Sequence, residues 1–258
     1  MTANLVDDRG RVVLLFLVGK PCAIVKDEDI LLGNVLALLG LWNRCDELRT
    51  ATLFPERFAG VILRDPVAVD DIRVGSLHGM PVLLLKTASN AAVVDALKTR
   101  LEGVSKDTIT VVDATDEYPH KGATAAIEGW MAKQKRSMTP KSIVLEPNHD
   151  RFNRAYWIKI DRADSVVTTA GDKRPRLEVQ VDRAANRITV KTVGVEQFTM
   201  SLNDDLVDLD KEFTVVVNEK AVTEKKTRSF REMWEGVQNR FDWDNLFPTR
   251  MQTTVPKP

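Results

Sequence analysis

No serine occurs in the chain before Ser76, and the whole sequence carries only two cysteines and three histidines. Cys22 and Cys45 form neither a disulfide framework nor a metal-ligand spacing, so inert thiols and no metal or cofactor are expected. An excess of charge is also missing: 37 Lys plus Arg balance 37 Asp plus Glu. That balance argues against a dedicated nucleic-acid binder, whose affinity rests on surplus basic residues facing phosphates. The longest apolar run, Ile30 to Trp42, is broken by Gly33, Asn34 and Gly40. It is shorter than the roughly 20 residues that span a bilayer, so it reads as a buried helix and no membrane partner is expected. Asp7 and Asp8 stand where a signal peptide carries positive charge. The chain as written is therefore expected to be soluble and cytoplasmic; an export signal would require a longer front.

What is present is globular. At 43% apolar and 29% charged over 258 residues, the chain has the composition of a packed protein, with room for one large domain or two ordinary ones. Its pattern changes near Pro140. Before it, Arg11 to Val18 is a continuous apolar run of the kind buried on both faces. A helical stretch from about Glu28 to Leu53 follows, then strands at Val61–Leu63, Val82–Leu85 and Ile109–Val112. Between and after them lie helices at Ala91–Leu101, with Ala92, Val93, Ala96, Leu97 and Leu101 at helical spacing, and at Gly122–Lys133. Strands alternating with helices predict a parallel sheet in an α/β domain over residues 1–140.

After Pro140 the period becomes two. Tyr156–Ile160, Arg176–Val181 and Arg187–Thr192 alternate polar with apolar, and further strands fit Gln197–Leu202 and Phe213–Val217. Gly171-Asp172, Ala185-Asn186 and Asn203-Asp204-Asp205 supply turns. Ser229 with Glu232 fits a reciprocal capping box opening a helix to about Asn239. Residues 141–258 thus read as a small β-sandwich with a C-terminal helix.

The chemistry-bearing residues are few. Asn90 and His120 each lie in a loop between a strand and a helix of the first domain, and Leu41 and Trp42 lie on the helix that leads to Pro55. Phe54-Pro55-Glu56-Arg57-Phe58, together with His120 and Gly122, resembles the C-terminal part of α/β-hydrolases of the prolyl-oligopeptidase and esterase type that carry an appended β-domain. Arg151 to Trp157 and Leu206 to Lys211 resemble that appended domain. The resemblance covers roughly residues 40 to 250. It implies a truncated hydrolase-like sheet, with His120 at the histidine position, Asn90 at the acid position and Leu41 where the nucleophile would stand. Lys86-Thr87-Ala88-Ser89-Asn90 replaces the family's His-Gly-x-x-Asp loop, and Leu39-Gly40-Leu41-Trp42-Asn43-Arg44 lacks the serine and glycines of the elbow. An asparagine cannot stabilise an imidazolium, a change that costs about 10⁴ in turnover.

The expectation is a degenerate, non-catalytic protein with a binding or assembly role. The alternatives are an active esterase or peptidase, truncated or with an unconventional nucleophile, and a carbohydrate- or protein-interaction module in the β-domain. Each site residue also has a plain structural reading: Asn90 suits a helix N-cap, and His120 a loop histidine. Ser76 sits in Gly75-Ser76-Leu77-His78-Gly79 before a strand and reads as a turn, and Cys45 as an inert helical thiol. The acidic run Asn203 to Asp210 lacks the glycine and glutamate of a calcium loop and reads as a hairpin turn. Tyr156, Trp157, Trp234 and Trp243 are candidates for binding carbohydrate or a partner, and most of them read as packing between the β-domain and its helix.

Overall fold

A computed structural model describes residues 5–6, 12–13, 47–64, 66, 72–115 and 120–256. The expected strand Arg11–Val18, most of the Glu28–Leu53 helix, Leu41, Trp42 and both cysteines lie wholly or mainly outside these residues. The chain divides into two compact units: Met1–Ala51, Arg57–Ile72 and Met80–Arg136 form one, and Thr52–Glu56, Arg73–Gly79 and Ser137–Pro258 the other. The architecture is mixed α/β with a β-rich second part. No helix among the described residues is long and apolar enough to cross a membrane.

In the first unit, β1 (Leu5–Val6) and β2 (Val12–Val13) pair antiparallel. Helix α1 (Glu47–Leu53) precedes a parallel sheet of β3 (Val61–Leu63), β4 (Val82–Lys86) and β5 (Ile109–Asp113), in that spatial order. Val61 faces Val82, and Val82 faces Ile109. The central strand β4 is buried from Val82 to Leu85, as its unbroken apolar run requires in a sheet covered on both faces. Helix α2 (Ala91–Glu102) buries Val94, Leu97 and Leu101, a single stripe at helical spacing. Ala92 and Ala96, counted with the apolar face from the sequence, are exposed. The stripe is set by the larger side chains. Helix α3 (Thr124–Met131) presses Ile127, Trp130 and Met131 onto Ile62, Leu83 and Leu85.

The second unit begins its continuous stretch with β6 (Ser142–Leu145), β7 (Arg154–Ala155) and β8 (Ile158–Ala163). Next come β9 (Arg176–Asp182), β10 (Arg187–Val193), β11 (Val195–Leu202), β12 (Phe213–Val217) and β13 (Lys220–Glu224). Helix α4 (Phe230–Arg240) and β14 (Thr249–Thr254) follow. One sheet has the order β13-β12-β10-β9-β6 and the other β14-β11-β8-β7. Leu177, Val179, Ile188, Val190 and Val215 of the first, with Ile158, Ile160, Phe198 and Met200 of the second, belong to one core cluster. Period-two alternation delivers each of these residues to the same face of its strand.

Three local expectations change. The helix does not end this unit, because β14 follows it and pairs with β11 from Gln197↔Thr254 to Leu202↔Thr249. The acidic run after Leu202 is not a hairpin turn: β11 and β12 lie in different sheets, so residues 203–212 are a crossover. Only half the capping box forms. Ser229 Oγ accepts the Glu232 amide at 3.3 Å, while the Ser229 amide donates to the Pro248 carbonyl at 2.7 Å. Tertiary structure supplied the nearer acceptor, and the Glu232 carboxylate is left over.

Candidate functional site

Polar side chains whose roles exceed a local turn gather at one place in the α/β unit and at two in the β-rich unit. In the α/β unit it is the carboxyl edge of the parallel sheet, where loops after adjacent strands gather in folds of this class. Asn90 follows β4 and starts α2, yet its side chain makes no capping bond to that helix. Its Oδ1 accepts the Thr87 amide at 2.8 Å. Its Nδ2 donates to the Leu85 carbonyl at 3.1 Å and the Arg64 carbonyl at 3.4 Å. One amide group thereby closes its own loop and ties the end of β4 to the residue following β3. The nearby Asp95 carboxylate is taken by Lys86, whose ammonium bonds both its oxygens at 2.7 and 2.8 Å. His120 follows β5 after a stretch outside the described residues. It is 1% exposed and adopts left-handed backbone (φ 57), with its carbonyl accepting the Ala123 amide to open the turn into α3. Leu41 lies outside the described residues.

Ser76 is buried in the second unit, in a tight turn over Gly75–Leu77. Its hydroxyl donates to the Glu146 carbonyl at 3.1 Å and accepts the Glu146 amide at 2.9 Å. Both capacities of the hydroxyl are used by one peptide segment, so the residue acts as a clasp. Beside it, the Glu146 carboxylate accepts the Gly75 amide at 3.0 Å and Arg176 Nη1 at 2.6 Å, with Arg73 Nη2 at 3.5 Å. Burial holds the Arg73 guanidinium below its ordinary pKa, against the opposing pull of Glu146.

The third place is a polar cavity of about 300 Å³ within the β-rich unit. Its floor is the outward face of the β14-β11-β8-β7 sheet. Lys159 and Asp161 on β8, Thr199 and Ser201 on β11, and Arg250 and Gln252 on β14 alternate with the core residues, and so share this face. Helix α4 lines it with Glu232, Gly236, Asn239 and Arg240, spaced four, three and one apart on one side of a helix.

Within this cavity some charges are matched and some are not. Lys159 pairs with Asp161 at 2.8 Å, and Asp161 also accepts Thr199 Oγ1 at 2.5 Å. Arg240 pairs with buried Glu56 and donates to the Tyr156 carbonyl at 3.1 Å. Arg154 is half-buried, and burial first, then the charge of Arg240, lowers its pKa, opposed by Glu56 and Asp161. Burial also raises the Tyr156 phenol above its ordinary value. Among the described residues, the Arg154 and Arg250 guanidinium groups and the Glu232 carboxylate have no hydrogen-bonding or ion-pair partner.

Sequence reasoning missed this cavity. The signal that existed was the polar half of each alternating strand, which reads as solvated surface until a helix is known to lie over it. Of the four aromatics Tyr156, Trp157, Trp234 and Trp243, the first two are buried, whereas Trp243 is 71% exposed and Trp234 41%. The acidic crossover is matched by cations of its own: Arg228 binds Asp204 and Asp210 at 2.6 Å each, and Lys211 reaches Asp208 at 3.0 Å. No protein-family model, curated protein or solved structure matches the chain.

Proposed function

We propose that this chain is a degenerate, non-catalytic α/β-hydrolase-like protein with an appended β-sandwich, acting by binding or assembly. The observation that carries the reading is Asn90. At the position that the resemblance assigns to the acid stands a neutral amide whose bonds to Thr87, Leu85 and Arg64 are spent on the loop itself. Such a group neither orients an imidazole through an anion nor stabilises its protonated form. Ser76 is no substitute nucleophile, because its hydroxyl is committed to Glu146, and His120 is shut away from solvent.

The test is activity-based labelling of the full chain with a fluorophosphonate, alongside hydrolysis of p-nitrophenyl acetate. No labelled residue and no turnover above buffer are expected. Ester hydrolysis that disappears in His120→Ala would overturn the proposal and favour an active hydrolase. A second reading, an interaction module in the β-domain, is favoured by an exposed aromatic row. Phe230 stacks on Trp234 at 6.4 Å and Trp234 meets Trp243 at 6.0 Å. Retention of the full chain on insoluble polysaccharide, lost in Trp243→Ala, would support a carbohydrate partner; passage without retention would count against one.

A further inference from the structure

We infer that the cavity between helix α4 and the outer face of the β14-β11-β8-β7 sheet is a binding site for a small monocarboxylate that also carries hydrogen-bond donors. The inference holds whether or not the α/β unit is catalytic, since every lining residue belongs to the β-rich unit.

The argument is one of unmatched charge. A partly desolvated guanidinium without a partner is costly, and the fold leaves Arg154 in that condition among the described residues. Its neighbours relieve it only through space: the charges of Glu56 and Asp161 oppose the effect of burial without a hydrogen bond to it. Glu56 is engaged by Arg240, and Asp161 by Lys159 and Thr199. Arg250 lines the same cavity from β14, exposed at its edge and equally unmatched. Two forked cations converging on one hollow are the arrangement that takes a carboxylate or phosphate through paired N–H bonds.

Glu232 decides between those anions. Its carboxylate lines the same hollow, freed by the Ser229 amide's bond to Pro248. Two unmatched cations and one unmatched anion leave a net single positive charge. A dianion without donors would overcompensate that charge and leave Glu232 unmatched, whereas a monoanion bearing hydroxyl or ammonium groups satisfies both ends. Ser201 and Asn239 add neutral partners, and the volume of about 300 Å³ lies at the small end of ligand sites. The donors could be hydroxyls, as in a uronic acid, or an ammonium, as in a dipeptide. The carboxylate-plus-donor chemistry is common to both.

The experiment titrates the full chain with D-glucuronate, Ala-Ala and sulfate, a dianion without donors, followed by NMR chemical-shift changes. At least one of the first two is expected to bind with a Kd below about 1 mM, and which of them binds identifies the donor type. Arg154→Gln and Arg250→Gln should each weaken that binding about tenfold, the scale of losing a hydrogen bond to a charged group. Arg250 is exposed, so its variant tests the site even if Arg154→Gln perturbs folding. Glu232→Gln should strengthen sulfate binding. Three results would each overturn the proposal: no shifts with either carboxylate, sulfate binding as tightly as the carboxylates to the unaltered protein, or an unchanged affinity in Arg250→Gln.

Discussion

Replacing Glu146 by alanine should be among the most damaging single changes in the β-rich unit, although the residue has no part in the cavity. The carboxylate is buried and holds three donors at once: the Gly75 amide at 3.0 Å, Arg176 at 2.6 Å and Arg73 at 3.5 Å. Removing it strands a buried amide, which costs about 1–3 kcal/mol. It also leaves the partly desolvated Arg73 without its anion, and removing one partner of a buried pair costs about 3–5 kcal/mol in total. Arg176 adds less, because it is half-exposed and keeps Glu178 at 2.7 Å. The expected loss is therefore about 3–5 kcal/mol for Glu146→Ala. Glu146→Gln, which keeps an acceptor for Gly75 but not the charge, should lose less.

Gly75 supplies the control. A Cβ there would lie 2.2 Å from Glu146 Oε2, so Gly75→Ala expels the carboxylate and should cost nearly as much. In the Glu146→Ala background the same change meets no carboxylate, and its cost should largely vanish, the signature of coupled sites. Urea unfolding followed by tryptophan fluorescence reads the transition, with Trp157 buried in this core. The reasoning fails if Glu146→Ala lies within about 0.5 kcal/mol of the parent, or if Gly75→Ala costs the same in both backgrounds.

Gly60→Ala should destabilise the α/β unit by about 1–3 kcal/mol through overpacking, because its Cβ would fall 2.7 Å from the Trp130 ring and 3.0 Å from the Pro81 carbonyl. Gly129→Ala, with open space around it in helix α3, should instead stabilise by about 0.5–1 kcal/mol; equal urea midpoints for the two variants would refute this. Acid should weaken the β-rich unit. The Val166 amide, then the Ser165 hydroxyl, hold Asp150 below the usual carboxylate range, and the bond from Arg228 does the same for Asp204. These contributions are complete above the unfolded carboxylate pKa of about 3.9 and are lost as pH falls through the depressed folded values. Melting temperatures should hold steady from neutral to mildly acid pH and drop below about pH 4, less steeply in Asp204→Asn; a midpoint rising at low pH contradicts the assignment. A fragment of residues 137–258 lacks Gly75, Ser76 and Glu56, so it should unfold at lower urea than the β-rich unit of the full chain, and equal midpoints would show these contacts to be dispensable.

Much of the architecture was legible because its signals are local. Strand β12 coincides with the expected Phe213–Val217, and β9, β10 and β11 lie within two residues of expectation, since period-two alternation can be read in a short window. Strands β6 and β13 and the final strand β14 were not anticipated. Thr249–Thr254 alternates, but with two threonines and a methionine on its inward side, and its pairing with β11 is a long-range event. At the carboxyl edge, the positions of Asn90 and His120 in loops followed from strand and helix order. That the Asn90 amide bonds two strand ends, and not its own helix, depends on where Arg64 comes to rest.

By itself the sequence determined the alternation of strands and helices before Pro140, the change to an alternating period after it, the balanced charge, and the absence of any serine before Ser76. Those are properties of neighbouring residues and of composition. The tertiary structure alone decided which polar groups meet. Arg154, Glu232 and Arg250 come from β7, α4 and β14, and the sheet order β14-β11-β8-β7 places strands side by side that lie far apart in the chain. Charges so distant carry no mutual signal in the sequence, and their cancellation or lack of it is settled only when burial removes the water that would otherwise match each of them.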